Sequence, residues 1–131
     1  MQNSAIRRTR RANRRSLRTT LRHRAAANRL AASCRRRPRS LATVAVAAGV
    51  AKDTVTGVTN GLRSVAKRLG LTPAEQARTK RTVVGGRGRH TRAVAHWTLG
   101  QVRTLLAAYK PRKAEYAAAV ALIAAFAGGT R

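Results

Sequence analysis

The feature that most constrains this chain is its charge. Its 131 residues carry 29 lysines and arginines against three acidic residues, for a net charge of +26 at pH 7. Most of these cations cannot find an ion-pair partner within the chain, so they repel one another unless a polyanion neutralises them. Nucleic acid is the most abundant polyanion in a cell, and its phosphates bind arginine and lysine. The charge therefore predicts nucleic acid as the partner.

The shortage of acidic and sulfur-containing side chains excludes several kinds of chemistry. Asp53, Glu75 and Glu115 are the only carboxylates, too few for a paired-carboxylate hydrolase or a carboxylate metal cage. Cys34 is the single cysteine, which excludes an internal disulfide and a cysteine-rich zinc site. The three histidines fall on separate predicted elements, with no carboxylate to orient them. We expect no cofactor, no metal, no small-molecule ligand and no enzymatic activity.

Targeting signals are sparse. The longest apolar stretch, residues 117–127, is shorter than the roughly 20 residues that a membrane span needs, and no secretory segment follows Met1. We therefore expect a cytoplasmic, nucleoid-associated protein with no membrane partner. Residues 1–37 are rich in arginine and free of acids, so an organellar transit peptide is an alternative for this segment.

Apolar side chains concentrate in the later part of the chain, which suggests three segments. Leu, Ile, Val and Phe number four in residues 1–40 and 21 in residues 41–131. Residues 1–15 carry six arginines and almost no apolar side chains, which predicts a flexible basic arm. Residues 16–110 are predicted to form the DNA-binding domain, and residues 111–131 a C-terminal helix that is a candidate for dimerisation.

Helical periodicity and capping residues divide the first half of the chain. A first helix is predicted to begin at Ser16 and to end before Pro38. Ser40 caps a second predicted helix, over residues 41–48, and a third occupies residues 52–69. Residues 72–75 have the pattern of a further helix start, with proline at the first helical position.

The second half of the chain contains the only β-favouring runs. Residues 82–84 and 93–97 flank a basic, glycine-rich tip and predict a hairpin, with Trp97 packing it on the core. Helices are then predicted over residues 99–109, capped by Thr98, and 111–126. Together these elements predict a mainly α fold with a small β-hairpin.

Residues 41–60 carry the steric pattern of two helices joined by a tight turn. Ala45 is small where the helices would cross, and Gly49 stands where the turn needs a left-handed backbone. Apolar side chains fall where the two helices would bury their shared core, at Leu41, Val44, Val50, Val55 and Val58.

This pattern resembles a helix-turn-helix motif, and especially the DNA-binding headpiece of the LacI family. The order of helices followed by a hairpin is similar to winged-helix regulators of the MarR type. The predicted fold is therefore a winged helix, with a plain helical helix-turn-helix protein as the alternative.

By this resemblance, the second helix of the motif enters the major groove of DNA. Lys52 then suits guanine, Asn60 suits adenine and Asp53 suits a cytosine amino group. Thr54 and Thr56 suit phosphate oxygens. Asp53 fits equally well as a partner of the helix dipole. For Asn60 the alternative, which the sequence slightly favours, is that it ends the helix.

Further DNA contacts are expected along the same helix, at the hairpin tip and in the arm, with a solvated basic surface as the alternative. Gly57 is expected on the outer face, where a long base-reading side chain is often found, so specificity through this helix is expected to be weak. The remaining candidate DNA-binding residues are Arg63 on the helix, Arg87, Arg89 and His90 at the tip, and Arg7, Arg8, Arg10 and Arg11 in the arm.

The final predicted helix carries one apolar stripe. Such a stripe predicts either packing on the helix's own domain or a homodimer through this helix. Its members are Tyr116, Ala119, Val120, Ile123, Phe126 and Ala127.

The sequence thus predicts a sequence-preferring double-stranded DNA-binding protein. It would act as a small transcriptional regulator or as an accessory factor in plasmid or phage replication or transfer. A protein that coats nucleic acid without sequence preference, nucleoid-associated or ribosomal, is the alternative.

Overall fold

The structure, a computed structural model, describes the backbone of residues 2–82 and 89–128 and the side chains of residues 2–78 and 92–128. It is mostly helical with one two-stranded antiparallel hairpin, which confirms the predicted fold class at that level. The chain divides into two compact units, Met1–Leu30 and Ala31–Arg131. The elements in chain order are α1 (Gln2–Arg36), α2 (Leu41–Ala47), α3 (Lys52–Leu69), β1 (Glu75–Thr82), β2 (Arg89–His96), α4 (Leu99–Ala108) and α5 (Ala114–Gly128).

Helix α1 is longer than the sequence suggested. It runs without interruption through residues 2–15, where we predicted a flexible arm, and through Ser16, which we predicted as an N-cap. The predicted helix start at Ser16 is therefore wrong, because few apolar residues argue against a buried core but not against an exposed helix. The helix contains no glycine or proline, and arginine and alanine are good helix formers. The hydroxyls of Thr9, Thr19 and Thr20 donate to carbonyl oxygens four residues earlier, within the helix.

The pair α2 and α3 follows the predicted steric pattern. The hydroxyl of Ser40 accepts a hydrogen bond from the Thr43 amide, as expected of an N-cap. Gly49 has a φ of 88°, in the left-handed region that the turn requires. Ala45 is fully buried, and its carbonyl accepts from the Val50 amide across the turn. All five predicted core positions are buried: Leu41, Val44, Val50, Val55 and Val58.

The hairpin begins earlier than predicted. Strands β1 and β2 pair from Glu75 opposite His96 to Thr82 opposite Arg89. The predicted helix start at residues 72–75 is therefore wrong. A single capping signal is worth about 1 kcal/mol, and the backbone hydrogen bonds of an eight-residue ladder outweigh it.

A one-residue bridge ties the hairpin to the segment before α2. The Arg39 amide donates to the Trp97 carbonyl at 3.1 Å, and the Trp97 amide donates back to Arg39 at 2.8 Å. Trp97 is buried, which confirms that it packs the hairpin on the core. This bridge holds the start of α2 against the end of β2.

Helices α4 and α5 complete the core. Thr98 and Gln101 form a reciprocal capping box at the start of α4, as the sequence predicted for Thr98. Helix α5 begins at Ala114, three residues later than predicted. Its apolar stripe packs on the chain's own core, where Ala119 and Ile123 are buried. The sequence predicted either packing on the helix's own domain or a homodimer, and the structure shows the stripe packed on the helix's own domain.

Two glycines of α3 are covered by tyrosine rings. A Cβ on Gly57 would overlap the Tyr116 side chain, and one on Gly61 would overlap Tyr109. The prediction that Gly57 lies on the outer face is therefore wrong. Each glycine costs about 1 kcal/mol of helix propensity, but the missing side chains give the rings room to pack against the helix backbone. Burial raises the pKa of Tyr109, and the neighbouring Tyr116 adds to this effect.

The end of α1 joins the core through Cys34. This side chain is buried, and burial raises the pKa of its thiol, although the charges of Arg39 and Arg35 act in the opposite direction. The Arg35 guanidinium lies 5.3 Å from the centre of the Phe126 ring on α5, within reach of a cation–π contact. No helix in the described ranges is long and apolar enough to cross a membrane.

We expect Leu62→Ala to lower the free energy of unfolding by about 2–5 kcal/mol, because Leu62 is almost fully buried on α3 and its loss leaves a cavity. Leu69→Ala is the matched control on the same helix, since Leu69 is 46% exposed and its truncation should cost about 0.5 kcal/mol or less. Urea unfolding followed by circular dichroism measures both. Equal losses for the two variants would contradict this assignment of the core.

Candidate nucleic-acid interface

Helix α3 separates its apolar and polar side chains. Its core face carries Val55 and Val58, as predicted, together with buried Leu62 and Val65. The opposite side is exposed and holds most of the residues that we predicted to contact DNA. This exposed row of α3 consists of Lys52, Asp53, Thr56, Asn60 and Arg63.

Within this row, Asn60 and Arg63 are hydrogen-bonded. The Arg63 Nη1 donates to the Asn60 Oδ1 at 3.2 Å. Because α3 continues for nine residues beyond Asn60, the alternative that Asn60 ends the helix is wrong. The bond leaves the Asn60 amide nitrogen free to donate. A bidentate contact with adenine also needs Oδ1, which Arg63 would then have to release.

Asp53 is the only acidic residue in the first turn of α3. The N-cap, Ala51, provides no side-chain hydrogen bond to the free amides of that turn. A carboxylate at this position stabilises the helix through its dipole. The location therefore fits the helix-dipole role, and its exposure also leaves it accessible to a ligand.

Thr54 lies apart from the exposed row. It is half-buried on the flank of α3 that faces α5, in a small recess with Glu115, Ala118 and Leu122. Thr56 is exposed within the row. Of the two threonines that we predicted to contact phosphate, the structure places only Thr56 beside Lys52 and Asn60.

The predicted contacts at the hairpin tip are only partly covered by the structure. Arg87 lies outside the described residues. Arg89 and His90 belong to β2, opposite Thr82 and Arg81 in the register. The ladder therefore carries these two positions to the distal end of the strand pair.

Helix α1 presents a long basic face. Residues 2–30 contain ten arginines and no acidic residue. With 3.6 residues per turn, most of these arginines fall within about a third of the helix circumference. Several are separated by four residues, a spacing at which like charges destabilise a helix. All are exposed, including the predicted contacts Arg7, Arg8, Arg10 and Arg11; the basic face itself consists of Arg7, Arg11, Arg14, Arg15, Arg18, Arg22 and Arg29.

Sequence reasoning missed two arginines and a histidine that the fold brings near α3. Arg39, Arg92 and His96 line a recess together with Arg63, although residues 39, 63 and 92–96 are far apart in the chain. Strand pairing and the bridge between Arg39 and Trp97 bring them together. No local pattern reports such a cluster, because it depends on the register of the hairpin.

The described residues contain no group of three or more histidine, cysteine or acidic side chains placed to hold a metal ion. Comparisons of the chain with protein-family models, with curated proteins and with solved structures gave no significant match. The resemblance to the LacI headpiece and to winged-helix regulators therefore stays a prediction, and function has to be inferred from the residues themselves.

Proposed function

We propose that this chain is a double-stranded DNA-binding protein that prefers particular sequences, which it reads with α3 in the major groove. The exposed row of α3 carries this proposal. Folding alone does not require amide or hydroxyl side chains on the exposed side of a helix. On that side of α3, Lys52 and Asn60 carry hydrogen-bonding groups that match the edges of guanine and adenine. The row lies on a helix that the turn at Gly49 and a buried core hold in place.

The arrangement around α3 supports a winged-helix architecture for this proposal. Helices α2 and α3 are followed by a hairpin, as in the regulators that the chain resembles. The isolated bridge between Arg39 and Trp97 joins the segment before α2 to the residue that follows β2. In such an arrangement a hairpin beside the recognition helix contacts the flanking groove or phosphates.

The basic face of α1 would supply affinity without reading sequence. Arg7 and Arg29 are 22 residues apart, which is about 33 Å along a helix. One turn of duplex DNA is about 34–36 Å long, so this face could follow phosphates over about one turn. Neutralising these phosphates releases counterions and makes binding salt-dependent. This face by itself favours the second candidate, a protein that coats nucleic acid without sequence preference.

The division of roles is tested by substitutions on α3. On the duplex preferred in a selection from random DNA, we expect Lys52→Ala and Asn60→Ala each to cost about 1–3 kcal/mol of binding free energy. On random duplex the cost should be much smaller, because no base match is lost. Fluorescence anisotropy at one fixed, near-physiological salt concentration measures both affinities.

Lys110→Ala is the control for the lost charge, since Lys110 is exposed and lies outside the exposed row of α3. It should weaken binding to both duplexes slightly and equally. Equal losses on preferred and random DNA for Lys52→Ala and Asn60→Ala would favour the coating protein instead.

We also propose that two copies pair through the outer face of α5. No charged residue occurs in residues 116–130, so on a chain of net charge +26 two copies can meet here without opposing cations. This outer face is apolar although it is exposed, unlike that of an ordinary surface helix. It consists of Ala117, Ala118, Ala121, Leu122, Ala124 and Ala125.

Leu122→Lys should convert a dimer to a monomer, because it places a cation on this otherwise apolar face. Leu69→Lys is the matched control, since Leu69 is 46% exposed against 45% for Leu122. Multi-angle light scattering at micromolar concentration gives the mass of each variant, with and without a pseudo-palindromic duplex. A wild-type monomer under both conditions would contradict pairing.

A further inference from the structure

A recess of about 550 Å³ lies between the start of α2, the middle of α3 and strand β2. Among the residues that the structure describes, no acidic one lines it, so its wall is cationic. Alanines and one valine form the rest of the surface. The polar lining residues are Arg39, Ser40, Thr43, Arg63, Arg92 and His96.

Arg39 lines this recess and has one polar atom that is left without a partner. Its Nε is buried and has no hydrogen-bond partner among the described residues. A buried N–H of a charged group left without a partner costs free energy, and a bound water or ion is one way in which folded proteins satisfy such a group. The backbone of Arg39 is fixed by its bridge to Trp97, so its side chain begins from a fixed point beside β2.

The other polar side chains of the recess differ in the hydrogen bonds that they already make within the protein. The hydroxyls of Ser40 and Thr43 share a hydrogen bond of 2.8 Å, and the Ser40 hydroxyl also caps α2. Both hydroxyls therefore stabilise the start of α2. Arg63 uses one N–H for Asn60, and a guanidinium has five N–H donors. Arg39, Arg63 and Arg92 thus bring guanidinium groups from three separate segments of the chain to the recess, and none of its described lining residues is acidic.

We propose that this recess is a phosphate-binding site in which Arg39, Arg63 and Arg92 surround one phosphate group. Guanidinium forks match phosphate oxygens in charge and geometry, and cations from three sides suit a tetrahedral anion. The phosphate belongs either to the backbone of bound DNA or to a free phosphate compound. The first source rests on the proposed function, because Arg63 connects the recess to the exposed row of α3; the second does not.

The DNA source is tested by the salt dependence of duplex binding. Arg39→Gln and Arg92→Gln should each reduce the slope of log affinity against log salt by about 0.9, the value for one lost phosphate contact. Each should also weaken binding about tenfold on every sequence. Arg103→Gln is the charge-matched control on α4, outside the recess, and should change the slope less than half as much.

Thermal unfolding without DNA separates binding from folding. Arg39→Gln should leave the melting temperature unchanged or raise it, because it removes a buried N–H that has no partner. If Arg39→Gln does not fold, Arg92→Gln tests the site instead, because Arg92 is exposed. If the wild type binds duplex and both recess variants match Arg103→Gln, the DNA source is wrong while the proposed function stands.

The two sources are separated by the Nε–H resonance of Arg39 in ¹⁵N-labelled full-length protein. A shift with a short duplex but not with inorganic phosphate identifies the DNA backbone as the source. A shift that saturates at low millimolar inorganic phosphate identifies a free phosphate ligand, even if no duplex binds and the proposed function fails. The absence of a saturable shift with either ligand would overturn the site.

Discussion

Uncompensated positive charge decides how this chain can fold. With three acidic residues for 29 cations, ion pairs cannot neutralise buried cations, so lysine and arginine have to stay at the surface. The buried positions are occupied mainly by alanine, valine and leucine, together with Ile123, Trp97, Cys34 and Thr59. The Nε of Arg39 is the exception among the described residues, and Arg39 lines a recess with Arg63 and Arg92 and with no described acidic residue.

Small side chains then allow the helices to approach closely enough to form a core. Ala45 is fully buried where α2 packs on α3, and the two tyrosines cover Gly57 and Gly61 on another flank of α3. These contacts leave one side of α3 free, and that side carries Lys52, Asn60 and their neighbours. The same packing that builds a core from small residues therefore determines which groups α3 presents to a ligand.

Local signals in the sequence were sufficient to predict the elements that local interactions stabilise. The cap at Ser40, the left-handed turn at Gly49 and the extent of α3 all depend on contacts between residues a few positions apart. Strand β1 was missed at its start, because pairing with a strand 14 or more residues away decides its conformation.

The early part of α1 was missed for a different reason. Composition indicates whether a segment can bury a core, and this helix does not need one. The recess around Arg39 could not be predicted from the sequence, because Arg39, Arg63 and Arg92 come together only when the hairpin and the bridge to Trp97 have formed. Long-range pairing of this kind leaves no periodic pattern in the chain.

The most direct test of the central claim is to map which amides respond to DNA in ¹⁵N-labelled protein. A duplex carrying the selected preferred site and a scrambled duplex of equal length and composition should be titrated separately. We expect the amides of α1 to shift alike with both duplexes, whereas those of Lys52, Thr56, Asn60 and Arg63 shift differently with the two. If shifts were confined to α1, or if the exposed row of α3 responded identically to both duplexes, reading of sequence by α3 would be contradicted.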